Sequence, residues 1–393
     1  MRVLIVEEAL QGQRGHWVSY IGGIATGLRR MGDVVDVLVH KNAESDVVTQ
    51  VGGTRWLRRS VWTDPRSKGP LGGFIHNWML YQDLTAFLDQ NPPYDLVLAL
   101  TVRAQHLLAL AHLARSSRKE RFGRIVLLFL SGFSVYLGPG TLPRIPWSGA
   151  VLTLRLALAH IRSAVLSGRV LLTAQVRARC DEVNRITNLP CRRLPQPVTV
   201  GATGLHEHSP KDLVFLHPGF ARHEKGSHIL QQAIIELLAE SPDLPVRFVI
   251  QWMEPFAMPD GTSVGPSAAL RQHPRVEFIS RALSLNEYDA LLARTDTMAL
   301  PYLADSYYAR DSRAAIESTV LGIPAVFTRH TWLEEHFHEY GAGIAVDEDA
   351  ASLKAGITAM VESYDVLKRL AFERMEKAER YFSVEHFRAL ITA

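Results

Sequence analysis

The 393-residue sequence predicts an α/β protein of two doubly wound, Rossmann-like domains. The length is about twice that of a common domain, so two domains are expected. Short runs of Val, Ile and Leu alternate with helical patterns from the first residue onward, as in parallel sheets covered on both faces. The alternation stops once, in a polar segment with two glycines, and then restarts.

In the first half, strands are predicted at Val3–Val6, Val34–Val39, Leu96–Leu100, Ile125–Leu130 and Val170–Thr173, with helices between them and the first helix over His16–Leu28. Residues 1–198 form the first domain. The aperiodic segment 199–211, with Gly201 and Gly204, is the expected hinge. The second domain, residues 212–375, carries strands at Leu213–Leu216, Val246–Ile250, Val276–Ile279, Met298–Leu300 and Ala325–Thr328. Its first helix is marked by Ile229, Leu230, Ala233, Ile234, Leu237 and Leu238 on one face. Residues 376–393 are expected as a C-terminal helix returning to the first domain. Two such domains facing across a cleft bind ligands at the carboxyl ends of their strands.

Composition removes several classes. At 47% apolar and 21% charged, the chain can bury two cores and is not disordered. The two cysteines, Cys180 and Cys191, have no metal-clip spacing and fit a reducing compartment. The opening strand meets Glu7 and Glu8, unlike a signal peptide, and arginines interrupt the most apolar region before it reaches the roughly 18 residues of a membrane span. A cytoplasmic protein is expected.

The net charge of +3 conceals an asymmetry. Residues 1–200 hold 25 basic and 13 acidic side chains and the remainder 18 and 27, giving +12 and −9. No acidic residue stands between Glu120 and Asp181. Arg155, Arg162 and Arg169 recur every seven residues beside Leu154, Leu158, Ile161 and Val165, so a continuous helix there would lie against anionic lipid with one basic stripe. A solvated face of a core-packed helix is the competing reading. Arg55 to Lys68, with Trp56 and Trp62 among arginines, reads as an interfacial or acceptor loop or as an edge strand. No nucleic-acid module is recognisable.

Two runs carry chemistry. Gly219-Phe220-Ala221-Arg222-His223-Glu224-Lys225-Gly226 follows a strand and opens a helix, so backbone N–H groups, a helix N-terminus and the cations Arg222 and Lys225 converge where a diphosphate would sit. Such cations stabilise a departing diphosphate as a divalent metal would. In the second run, Ser312 is the N-cap of a helix ended by Gly322 and Pro324, and Glu317 in its second turn suits a ribose diol.

At this separation and in this order, the two runs resemble the donor-binding half of GT-B glycosyltransferases, most closely the bacterial type of family four, a retaining group. Val276–Ile279, Leu285–Leu292 and Asp296–Pro301 are similar to the segments that hold its nucleotide base, and Thr331-Trp332-Leu333 and Gly341-Ala342-Gly343 to its continuation. The resemblance covers residues 212–360, and the first half in outline through the Gly12 to Gly15 turn. It implies a nucleotide diphosphate sugar as donor, a carbohydrate, lipid-linked or small-molecule acceptor on the first domain, retention, and neither metal nor cofactor. Arg222 and Lys225 would then face the diphosphate, with Gly219 and Gly226 shaping the turn. Backbone from Arg281 to Leu283 would contact the base, Arg310 and Ser312 would flank the donor, and Gly12 and Gly15 would let backbone approach it. His16 is the best-placed imidazole of the first domain, and His106 a second. The sequence departs from the family at Phe220, where arginine is common, and at Ala309, the place of the first of two glutamates, with Asp305, Arg310 and Asp311 nearby. An epimerase or phosphorylase on the same fold, or a catalytically idle binding partner, are the alternatives. Polysaccharide or glycoconjugate biosynthesis is the expected setting, with peripheral contact to anionic membrane through the basic first domain.

Overall fold

A computed structural model describes residues 1–12, 17–67, 69–116, 120–201 and 212–393. Contacts divide the chain into two units. The first comprises Met1–Leu137, Leu142–Pro197 and Ser383–Ala393, the second Gly138–Thr141 and Val198–Phe382. Most of the predicted hinge, 202–211, lies outside the described residues.

The first unit holds a seven-stranded parallel sheet: β1 (Arg2–Glu7), β2 (Val34–His40), β3 (Gly53–Leu57), β4 (Tyr94–Ala99), β5 (Phe122–Phe129), β6 (Val170–Ala174) and β7 (Cys191–Arg193), in the spatial order β3-β2-β1-β4-β5-β6-β7. Alternation along the strands feeds two cores. Leu4, Leu38, Val97 and Leu127 face one side, and Val3, Ile5, Val37, Leu98 and Val126 the other. The first core packs beneath α3 (Gly69–Gln90), α4 (Ala104–Arg115), α5 (Gly149–His160) and α7 (Arg177–Thr187), the second beneath α1 (Trp17–Arg30) and α2 (Ser45–Val51).

Gly53–Leu57 is the edge strand β3, so the stretch from Arg55 begins within the sheet, the second of its two expected forms. The arginine stripe is not one helix: α5 ends at His160, Ile161 leaves helical geometry at φ −110° and ψ 17°, and α6 spans only Arg162–Leu166. Each arginine instead donates to a backbone carbonyl, Arg155 to Ile186, Arg162 to Asn188 and Arg169 to Ala114. A break between Arg155 and Arg162 removes the seven-residue phase on which the stripe depended.

The second unit holds a six-stranded parallel sheet from β8 (Leu213–His217) and β9 (Val246–Gln251), then, after a short hairpin of β10 (Phe256–Ala257) and β11 (Ser263–Val264), β12 (Val276–Ile279), β13 (Thr297–Leu300), β14 (Ala325–Thr328) and β15 (Gly343–Val346). The order is β12-β9-β8-β13-β14-β15. Its helices are α8 (Ser227–Glu240), α9 (Ala268–Arg271), α10 (Leu285–Ala293), α11 (Ala304–Tyr307), α12 (Arg313–Val320), α13 (Trp332–Tyr340) and the long α14 (Ala350–Tyr381). Leu230, Ala233, Ile234 and Leu237 of α8 pack against Phe215, Phe248 and Ile357.

The chain leaves the second unit later than residue 376, because α14 meets no proline, and after Gly356 no glycine, before Tyr381. Ser383 then caps α15 (Val384–Thr392) by accepting from the His386 N–H. Val384, Phe387 and Ile391 of α15 enter the α1 face of the first core, and Arg388 clamps Asp33, which also receives the N-terminal ammonium at 2.9 Å.

Candidate functional site

In the second unit the apolar strand β8 ends at His217, and the chain turns sharply at Gly219, φ +74°. Residues His223–Lys225 make one turn of 3₁₀ helix, and Gly226, φ +62°, admits the chain into α8. A Cβ at Gly226 would lie 1.8 Å from the Pro301 carbonyl oxygen, so only glycine lets the α8 N-terminus approach the end of β13 this closely.

A buried relay fixes the turn. His217 Nδ1 donates to the Ala299 carbonyl at 2.8 Å, and His217 Nε2 accepts from the Ser227 hydroxyl at 2.9 Å. The Ser227 oxygen in turn accepts from the Arg222 N–H at 3.1 Å. Burial, with the Lys225 charge behind it, lowers the His217 pKa to about 4, so its imidazole is neutral and can fill both roles.

Lys225 folds back toward Gly219 and donates to the Pro218 carbonyl at 2.9 Å. Burial first, then repulsion from Arg222 and Arg310, depresses its ammonium to about 7. The structure thus brings three predicted cations into one electrostatic neighbourhood. Arg222 and Arg310 are exposed, and Arg310 lies over the Tyr307 ring at 5.0 Å. Glu224, 3.5 Å from Arg222, offsets part of this charge, and an anion at the helix N-terminus would offset more.

Gln251, which closes the apolar strand β9, was not legible as a site residue. Its Oε1 accepts from the Gly219 N–H at 2.8 Å, its Nε2 donates to the Arg281 carbonyl at 3.3 Å, and its own carbonyl accepts from the Ala221 N–H. One buried side chain thereby ties the glycine turn to the predicted base-contacting loop. Arg281 itself points to Glu287 at 2.6 Å, leaving backbone as the loop's offering, and Leu283 is half-buried beside it.

Ser312 caps α12 by accepting from the Ala315 N–H. Glu317 is buried, its two oxygens accepting from Arg313 Nε at 2.7 Å and from the Tyr288 hydroxyl at 2.8 Å. A carboxylate has about four acceptor positions, so capacity for a diol remains after these two bonds. Between the two runs stands buried Tyr302, its ring 6.0 Å from Lys225 Nζ and its hydroxyl in contact with Ser312. Ala309 is buried and brings no carboxylate.

In the first unit, Gly15 and His16 lie outside the described residues. Gly12 is described and has no positive φ, and a Cβ there would meet the Glu44 carboxylate at 3.0 Å. At the carboxyl end of β1, alternation sends Glu7 and Glu8 to opposite faces. Burial raises Glu7 to about 8, although the Ala9 N–H and Thr101 hydroxyl donate to it. Burial would also raise Glu8, but attraction and hydrogen bonding from His106 and His76 overcome it and hold this carboxyl well below the usual range.

His106 Nε2 stands 3.1 Å and His76 Nε2 3.0 Å from Glu8 oxygens. The three ligand atoms lie within 4.8 Å of one another, the one group among the described residues with donors suited to a transition metal. His106 Nδ1 accepts from the Arg103 N–H, which puts the ring's proton on the nitrogen facing Glu8. The cluster therefore serves as it stands to hold one ionised carboxylate beneath α3 and α4.

No family model and no curated protein matches the sequence. Solved structures do match in fold. HepE of Anabaena in complex with UDP and glucose is 16% identical with a TM-score of 0.65, over 100% of this chain and 98% of that one. Sucrose-phosphate synthase of Thermosynechococcus elongatus is 14% identical with a TM-score of 0.62, over 100% and 97%. A glycosyltransferase of Rickettsia africae is 11% identical with a TM-score of 0.65, over 98% and 95%. The fold is GT-B, with two Rossmann-like domains whose parallel sheets have seven and six strands.

Proposed function

We propose that the chain is a retaining glycosyltransferase that moves a sugar from a nucleoside diphosphate donor to an acceptor without a metal ion. The observation that carries this reading is the convergence of Arg222, Lys225 and Arg310 on the glycine turn at the start of α8. In the reaction, the bond from the anomeric carbon to the diphosphate breaks and a bond to the acceptor oxygen forms on the same face. The acceptor proton passes to the departing phosphate oxygen. Negative charge grows on the leaving diphosphate, and Arg222 and Lys225 offset it, with Arg310 as a third cation. Glu317 holds the ribose and the Arg281–Leu283 backbone the base, with Gly12, Gly15 and His16 the first domain's candidates for donor or acceptor. HepE, solved with UDP and with UDP-glucose, makes a uridine donor the first to test.

The test is a thermal-shift panel of UDP, GDP, TDP and ADP without metal. A ligand at 100 times its dissociation constant stabilises by about 2.7 kcal/mol. Stabilisation by one nucleotide, unchanged by chelator, supports the reading, and no response to any of them removes it.

Ala309, in place of the family's first glutamate, favours a second reading, a sugar-nucleotide epimerase on the same fold. Product analysis separates the two, since an epimerase converts the donor with no acceptor present.

A further inference from the structure

On the first unit, α3, α4 and α5 each follow a parallel strand and so run side by side in one direction. The α3 and α4 pair is in register near their starts: a Cβ at Gly73 would lie 3.5 Å from Gln105, and the Ala109 N–H donates to Asn77. On the outer side of this layer, large apolar side chains face solvent. Leu71, Phe74 and Trp78 make one stripe on α3, and Trp147, Leu152 and Leu156 follow at and after the start of α5, all between 51 and 91% exposed. Leu108 of α4 is exposed between them. Leu71, Phe74 and Trp78 lie in the first half of α3 and Trp147 just ahead of α5, toward the end of the unit where the strands point their carboxyl ends, while Leu156 lies in the second half of α5. Scattered single apolar residues need no explanation, but Phe74 and Trp78 on α3 and Trp147 ahead of α5, in one layer of packed helices, do.

The charge around this face is of one sign. No acidic residue occurs from Pro65 to Gln82, from Leu96 to Lys119, or from Arg121 to Cys180. Arg155 sits between Leu152 and Leu156 on the exposed side of α5, and Trp147, Leu152 and Arg155 line a small cavity of about 150 Å³. Arg144 and Arg162 flank the helix at its two ends, both exposed.

We infer that the outer side of α3, α4 and α5 forms a docking face for an anionic lipid bilayer, the two tryptophans seated at headgroup depth and the guanidinium N–H groups not spent on backbone carbonyls on the phosphates. The contact is a face of three packed helices, not the single arginine stripe that the sequence suggested. An anionic membrane supplies counter-charge to the basic border and an apolar layer for the two tryptophans at once. Binding is independent of sugar transfer and is measured without donor.

The test is sedimentation of the full chain with phosphatidylcholine vesicles, with and without phosphatidylglycerol, at two salt concentrations. The wild type should sediment with anionic vesicles at low salt and weaken by roughly tenfold as salt rises. Phe74→Ser with Trp78→Ser, and separately Trp147→Ser with Leu152→Ser, should each lose at least about tenfold in partitioning while circular dichroism and melting temperature stay unchanged, because these side chains are exposed. Equal retention of both variants would overturn the inference, as would no vesicle binding by the wild type. Self-association in sedimentation equilibrium that the same substitutions abolish would assign the face to a second copy instead.

Discussion

Gly226 and Pro301 meet with no room for a side chain, the Cβ position at 226 falling 1.8 Å from the Pro301 carbonyl oxygen while φ stands at +62°. The mouth of the glycine turn is thus set by a backbone contact. Gly226→Ala must both adopt a left-handed conformation and displace β13, which should destabilise the fold by roughly 3 kcal/mol. Urea denaturation measures this, and a loss below about 0.5 kcal/mol would refute the close approach.

Lys225 should impose a pH dependence on diphosphate binding. Its ammonium is depressed to about 7, so above that pH the free protein must take up a proton to bind. The dissociation constant should rise by up to about tenfold per unit from pH 7 toward 9, and flatten in Lys225→Met. The stability effect has the opposite sense. A base whose folded pKa is lowered gains stability as pH rises from about 7 toward its unfolded value near 10.5, so Lys225→Met should stabilise the free protein most at pH 7 and below. Titration calorimetry and thermal melts over this range check both signs.

Gln251→Ala should cost about 1–2 kcal/mol of stability by leaving the Gly219 N–H without its partner. Since the same side chain holds the Arg281 carbonyl, donor affinity should fall by about tenfold or more. An unaltered KM and kcat would mean that the turn and the loop hold their places without it.

Glu7→Gln should stabilise the protein increasingly as pH rises. The buried carboxyl has a folded pKa raised to about 8 against 4.5, so the folded state holds a proton that the unfolded state releases, and stability declines between those values by about 1.4 kcal/mol per unit at most. Glutamine keeps the neutral shape without that loss. Melting temperatures of the two proteins should coincide near pH 4.5 and diverge toward pH 8.

Much of this was legible in the sequence where one local signal was enough. Central strands are continuous apolar runs, and Gly219 and Gly226 punctuate the turn because it needs positive φ at both. The edges of the first sheet were legible only in part, β3 as one of two forms of the Arg55 stretch and β7 not at all. β3 is Gly-Thr-Arg-Trp-Leu and half-solvated, and β7 is only Cys-Arg-Arg, so neither has an apolar run to find. For Arg155 and Arg162 the solvated face beside buried Leu154 and Leu158 is what the structure holds, and the stripe fails because a seven-residue spacing survives in sequence when Ile161 breaks the helix in space. Glu8, His76 and His106 meet from three distant segments, which no local pattern records. Gln251 did leave a signal, a lone amide after the apolar run Phe248–Ile250, but its meaning depends on where Gly219 and Arg281 fold.

The most direct test is titration calorimetry of the nucleoside diphosphate selected by thermal shift, against wild type, Arg222→Ala and Lys225→Ala at pH 7 without metal. Cations that carry the diphosphate predict saturable binding by the wild type, with affinity reduced by about ten- to a hundredfold in each variant, charge-assisted contacts being worth about 1.5–3 kcal/mol. Equal dissociation constants for all three proteins would contradict the assignment of this turn to a diphosphate.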